Sequence, residues 1–234
     1  MGERLDKFLA SQGLGTRKEV GKLIRSGAVL VNGAPQRDPG AKVEPGADRV
    51  TAQGEEIRYQ EFLTIMLNKP AGVLSATEDR RQKTVLDLLP EGLRRRGLFP
   101  AGRLDKDTTG LLLITDDGEL AHKMLSPKSH VYKQYRAQLD APVEEADIQA
   151  FGAGGAWEGE QYAPARLWVE QDPRAAFVEI REGRFHQVKR MFQARGKTVR
   201  QLKRLKIGGL WLDSTLQEGE CRLLTPQEIQ AIFH

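Results

Sequence analysis

Apolar positions recur with helical spacing at the start of the chain and with strand spacing soon after. Leu5, Phe8 and Leu9 predict a short helix over Arg4 to about Gln12, and Val20, Leu23 and Ile24 predict a second. Thr16 and Glu19 form a capping-box pattern at the start of the second helix, and Ser26-Gly27 ends it. Ala28 to Val31 then reads as a strand, Asn32-Gly33 as a tight hairpin turn, and Glu44 to Asp48 as a turn cluster before the strand-like Arg49-Val50-Thr51. Glu55 to Glu61 is polar and without a clear period, and reads as a linker between domains at residues 1–58 and 59–234.

A different pattern follows. Phe62 to Leu67 reads as a buried strand running into the bend Asn68-Lys69-Pro70-Ala71-Gly72, with Val73 to Ser75 a further short strand. Thr84 is placed to cap a short helix carrying Val85, Leu86, Leu88 and Leu89, and Arg94-Arg95-Arg96 reads as solvated surface. The polar, glycine-bounded loop Gly102 to Gly110 feeds into the apolar strand Leu111 to Thr115, and acids at Asp116, Asp117 and Glu119 open a helix through Leu125. Tyr132 to Leu139, Ala165 to Val169 and Ala176 to Ile180 are predicted strands, Glu144 to Phe151 a helix and Gly152 to Gly155 a loop. Gly183 to Phe192 reads as a helix with Val188, Met191 and Phe192 inward and His186, Lys189 and Arg190 along a cleft. Val199 to Lys206 alternates as a strand whose cations could touch phosphate, and a capping box at Thr225 to Glu228 opens a last helix through Phe233. Helices and strands alternate irregularly, with no phosphate-loop or dinucleotide fingerprint, which predicts an α+β fold.

Charge adds a direction to this picture. The 234 residues carry 36 Lys and Arg against 32 Asp and Glu, a formal net charge of only +4. Its distribution is uneven: Gly183 to Leu212 holds no acid, while Ala141 to Glu182 is rich in acids and is expected to face away from a phosphate backbone. In the first domain Arg17, Lys18, Lys22 and Arg25 project from the second helix. Helices presenting cations over a small β element can meet the phosphates of a folded RNA, or can simply be a solvated face. One cysteine, Cys221, excludes an internal disulfide, and neither a leader pattern nor a membrane-length apolar run is present, so the expected location is the cytoplasm. The four histidines show no ligand spacing, and no metal is expected.

Asp105 is the candidate for chemistry. It sits on a rigid shelf before a strand, with Arg103 and Lys106 beside it as cations able to hold a carboxylate ionised. An isolated aspartate there is more often a turn residue or a solvated surface acid, and a tyrosine in a strand such as Tyr135 is more often a half-buried packing residue.

Longer ordered motifs carry a resemblance. Arg4-Leu5-Asp6-Lys7-Phe8-Leu9, Thr16-Arg17-Lys18, Leu23-Ile24-Arg25-Ser26-Gly27 and Val29-Leu30-Val31-Asn32-Gly33 resemble the αL, ribosomal-protein S4-like RNA-binding module. Leu67 to Gly72, Gly102-Arg103-Leu104-Asp105 through Leu111, Tyr132 to Arg136 and Glu182 to Phe192 together resemble the RsuA group of ribosomal RNA pseudouridine synthases. The resemblance implies a catalytic domain on a curved, largely antiparallel sheet and an isomerase needing no cofactor. It implies ribosomal RNA or the assembling small ribosomal subunit as partner, and a monomer is expected. In it Asp105 takes the place of the catalytic aspartate, Tyr135 of the tyrosine stacking on the target base and Lys189 of the cation paired with the aspartate. Arg103 is expected to hold the flipped nucleotide, and Arg4, Lys7, Arg17, Lys18, Lys22, Arg25, Arg184, His186 and Arg190 to bind RNA. The form His186-Gln187-Val188-Lys189-Arg190-Met191 with Ile207-Gly208-Gly209 most resembles members acting on 16S rRNA at uridine 516. A 23S rRNA synthase of the same group, a non-catalytic ribosome assembly factor and a nucleoside hydrolase remain the alternatives.

Overall fold

The computed structural model describes residues 2–57, 59–95, 97–157 and 159–234. The chain packs as two units, one of Met1–Phe62 with Leu89–Leu98 and one of Leu63–Leu88 with Phe99–His234. The first unit extends a few residues past the expected linker because Tyr59 stacks on Phe8, with ring centroids 6.1 Å apart, and the Gln60 amide donates to Gln12 at 2.9 Å. Arg95 belongs to the same unit: it donates to the carbonyls of Ser11, Gln60 and Glu61 at 2.9–3.3 Å. The arginine run is therefore partly structural rather than solvated, its third member lying outside the described residues.

In the first unit, helices α1 (Leu5–Ser11) and α2 (Arg17–Arg25) bury Leu5, Phe8, Leu9, Val20 and Ile24 against β1 (Val29–Val31). The capping box is present: the Glu19 amide donates to the Thr16 hydroxyl at 3.3 Å and the Thr16 amide to the Glu19 carboxylate at 2.8 Å. β1 turns into β2 (Ala34–Gln36) through Asn32 and Gly33, both at positive φ, as a two-residue hairpin requires. β3 (Val50–Ala52) pairs with β1, and with β4 (Glu55–Ile57) through a Gln53-Gly54 turn also at positive φ. β4 falls in the stretch expected to be linker. Its exposed Glu55-Glu56 gives no alternation, so only the turn chemistry could have revealed it.

The second unit is built on a sheet of nine strands, of which seven form its path. These are β5 (Thr64–Lys69), β6 (Thr109–Thr115), β7 (Lys133–Leu139), β10 (Arg166–Val169), β11 (Ala175–Ile180), β12 (Val199–Ile207) and β13 (Cys221–Leu223), in the order β10-β11-β7-β12-β6-β5-β13. Neighbours are antiparallel except β12 and β6. The α+β class and the largely antiparallel sheet are as expected. β5 is buried along its whole length, its polar Thr64, Asn68 and Lys69 as well as its apolar centre Ile65 to Leu67.

Helices α3 (Gly118–Leu125), α4 (Glu145–Ala153), α5 (Gln187–Ala194) and α6 (Pro226–Ala231) and the hairpin β8 (Gly155–Trp157) and β9 (Glu160–Tyr162) complete the unit. Met66, Leu111, Leu113, Met124, Ile207 and Ile232 belong to one continuous core. Several local expectations differ. Gly152 to Gly155 is the end of α4 and the start of a hairpin, and Val73 to Ser75 makes one bridge, Leu74 to Thr84, rather than a strand. Val85–Leu88 is a 3-10 turn, and α5 begins at Gln187 because His186 stands in the left-handed region at φ +52°.

Candidate active site

The loop before β6 is held from behind by its own backbone. The Lys69 ammonium at the end of β5 is fully buried and donates to the carbonyls of Pro70, Lys106 and Thr108 at 3.0, 3.2 and 3.0 Å. Ser75 and Leu104 exchange hydrogen bonds at 2.9 and 3.1 Å, and the Gly72 amide donates to the Lys106 carbonyl at 2.7 Å. Burial pushes the Lys69 amine down to about 8. At the far end of the loop Gly110, at φ +98°, lies against the Arg204 backbone, where a Cβ would collide with the Arg204 carbonyl oxygen. The loop thus has rigid footings on β5 and β12.

Asp105 projects from this loop with its side chain 24% exposed. Lys189 of α5 reaches it at 3.0 Å and His186 at 3.5 Å, while Lys189 also meets Asp107 at 2.6 Å. Burial disfavours the charge on Lys189, but its bonds to Asp107 and Asp105 outweigh that and its pKa is raised; Lys189 in turn lowers that of Asp107. The cation beside Asp105 is therefore not a sequence neighbour. Lys106 turns away to Gln82 at 2.6 Å, and Arg103 is exposed, lining the pocket without an ion pair to Asp105.

Asp105, Tyr135, Arg103, Arg184 and His186 line one pocket, whose floor includes Ile180 and Leu202. Among the described residues lining it, Asp105 is the only acid. Tyr135 reaches the pocket from β7, which is separated from β6 by β12. Arg184 pairs with Glu182 at 3.4 Å and Glu160 at 3.7 Å, and Arg190 with Glu160 at 3.2 Å. The acidic stretch expected to face away thus supplies carboxylates beside the pocket. The basic stretch is also less available than its composition implied: Arg195 and Lys197 hold the buried Asp147 at 2.9 and 2.8 Å, and Arg204 is itself buried.

The remaining RNA-binding candidates lie in the first unit. Arg4 and Arg17 both pair with Asp6, at 3.1 and 2.8 Å, and the Arg4 bond leads in holding that carboxyl down at about 2. Lys7 pairs with Glu3 at 2.7 Å. Lys18, Lys22 and Arg25 are exposed on α2. Lys69 and Arg204 were missed as site residues, although a lysine closing an apolar run was the available signal for the first. Among the described residues, no group of three or more His, Cys, Asp or Glu could hold a metal, and no helix is long and apolar enough to cross a membrane.

A small helical and β unit is thus followed by a largely antiparallel sheet whose pocket is lined by Asp105, itself 3.0 Å from Lys189. Residues 63–194 match the RNA pseudouridylate synthase family and residues 3–48 the S4 domain, and the chain belongs to the RNA pseudouridylate synthase family. It is 46% identical to an uncharacterized RNA pseudouridine synthase of Bacillus subtilis, covering 98% of both chains. It is 42% identical to ribosomal small subunit pseudouridine synthase A of Vibrio cholerae, covering 98% of this chain and 99% of that one, and 41% identical to the Escherichia coli protein of that name with the same coverage. A crystal structure of a pseudouridylate synthase, 39% identical, superposes with a TM-score of 0.68 over 98% of this chain and 99% of that one.

Proposed function

We propose that this pseudouridine synthase isomerises a uridine of ribosomal RNA, namely uridine 516 of 16S rRNA in the free RNA or the assembling small subunit, acting as a monomer without a cofactor. The full-length likeness to small-subunit synthases supports the target, and the observation that carries the chemistry is Asp105, the sole acid among the described residues lining the pocket, 3.0 Å from Lys189.

The target nucleotide must leave its stack, at a cost of a few kcal/mol that contacts to phosphate offset. Arg103 and Arg184 at the pocket are placed for those contacts, and Lys18, Lys22 and Arg25 on α2 for others. The bond from the anomeric carbon to N1 breaks with its electron pair going to the uracil, which turns and rejoins the same carbon through C5. The C5 proton is then lost and N1 regains one, so nothing is gained or lost overall. Asp105, 3.0 Å from Lys189, is the carboxylate that meets the electron-poor centre of this sequence. Tyr135 lines the pocket that receives the base, and His186 borders the same carboxylate.

The test is to incubate the protein with 16S rRNA, 23S rRNA and assembling subunits, map carbodiimide-resistant adducts, and assay free uracil. One adduct at 16S uridine 516 with no uracil is expected. An adduct confined to 23S rRNA would move the target, released uracil would make the protein a hydrolase, and neither product would leave a binding factor.

A further inference from the structure

Beneath the pocket lie two buried cations that the chemistry above does not use. Arg204 of β12 is 5% exposed and Lys133 of β7 is 6% exposed, and among the described residues neither has a carboxylate partner. Uncompensated buried charge is costly, so its retention next to a functional pocket calls for a reason. Arg204 is directly opposite Tyr135 in the β7–β12 register and opposite Gly110 in the β12–β6 register. Its Nε donates to the Leu111 carbonyl at 2.7 Å, its Nη1 to the Tyr135 hydroxyl oxygen at 3.4 Å, and its buried Nη2 has no acceptor. One guanidinium therefore joins the strand that carries the Asp105 loop to the tyrosine of the pocket.

We infer that Arg204 is a positioning residue that fixes Tyr135 for the reaction: by donating to the phenolic oxygen it holds the ring in place and directs the hydroxyl proton toward the pocket. This rests on the proposed pseudouridine chemistry. A hydroxyl oxygen that already accepts from a guanidinium keeps its own proton free to donate. A uracil carbonyl oxygen is the acceptor the pocket would receive, and it gains negative charge when the glycosidic electron pair moves into the base. The contact at Tyr135 is then stronger during turnover than on binding, so its loss falls on kcat rather than on KM. Lys133 adds a second positive charge on β7, the strand that carries Tyr135. Repulsion from Arg204 adds to burial in pushing its amine down to about 8.

The test has two arms on the full-length protein. With tyrosine labelled at ¹³Cζ, the Tyr135 resonance, identified by its loss in Tyr135→Phe, is expected to move in Arg204→Gln and in Arg204→Met while the other tyrosine resonances stay in place. This arm needs no activity, and an unmoved Tyr135 resonance overturns the inference whatever the RNA target proves to be. In the second arm, release of the C5 hydrogen from 5-tritiated rRNA gives kcat and KM for Arg204→Met, Tyr135→Phe and the double variant. Loss of roughly tenfold to a hundredfold in kcat for Arg204→Met is expected, with KM within about twofold and no further loss when Tyr135 is already Phe. Independent, multiplicative losses, or a loss confined to KM, would reduce Arg204 to a packing residue. If Arg204→Met does not fold, Arg204→Gln, which keeps two N–H donors, decides the cycle by the same criteria.

Discussion

Two carboxylates of the second unit are each held by side chains from a distant element, and they differ in what is left over. Asp147 is fully buried and saturated: Arg195 donates at 2.9 Å, Lys197 at 2.8 Å and the Glu144 amide at 2.9 Å, closing the start of α4. Burial works against its ionised form, but Lys197, that amide and Arg195 prevail and its pKa is lowered. Asp105 stands in an open pocket with Lys189 at 3.0 Å and the imidazole of His186 at 3.5 Å, and Lys189 makes its shorter bond to Asp107. One arrangement consumes the acceptor capacity of its carboxylate and the other keeps some of it free. That difference separates a structural ion pair from one poised for chemistry.

The contrast between the two carboxylates is most exposed to refutation at Lys189. Lys189→Met is expected to lower kcat roughly 10²- to 10³-fold, measured by tritium release, with little change in melting temperature, because it strips the cation from an open site. Asp147→Ala should do the reverse. It leaves the buried Lys197 with only the longer contact to the exposed Glu144, at 3.9 Å, and is expected to cost about 3–5 kcal/mol in urea unfolding while the folded fraction keeps its kcat.

Lys133→Met isolates the effect of a buried charge that has no carboxylate at all. The folded Lys133 amine titrates at about 8, below its unfolded value, so the unfolded chain binds more protons between roughly pH 8 and 10.5. Wild-type stability therefore gains from this group as pH rises through that window. The methionine variant should be more stable by about 1–3 kcal/mol at pH 7, an advantage that fades toward pH 10.5. A difference independent of pH would show that Lys133 is not held at a depressed pKa. The smallest expected effect lies in the first unit: Lys18→Ala with Lys22→Ala should weaken rRNA binding and flatten the slope of log affinity against log salt by about 0.7–0.9 per lost phosphate contact, leaving kcat unchanged.

The architecture of these regions was unevenly legible in the sequence. Asp105 and the apolar strand behind it were visible because a glycine-bounded polar loop runs straight into Leu111 to Thr115. The partner cation was misread from chain neighbours, since Lys106 bonds Gln82 while Lys189 arrives from α5, far along the chain. Only the resemblance had paired Lys189 with the aspartate. Lys69 and Arg204 stayed hidden for a different reason. A periodicity argument assigns lysine and arginine to surfaces, whereas three carbonyls satisfy Lys69 in the interior and the parallel pairing of β12 with β6 drives Arg204 under the pocket. Nor does charge composition report on pairing: Glu160 and Glu182 sit against Arg184 and Arg190, so the acidic and basic stretches meet rather than face apart.

The central claim is that the open carboxylate performs the isomerisation, and Asp105→Asn tests it most directly. Binding to 16S rRNA by fluorescence anisotropy should stay within about twofold of wild type, while pseudouridine formation falls by at least roughly 10³-fold. Pseudouridine produced by Asp105→Asn at a rate near that of the wild-type protein would contradict the account.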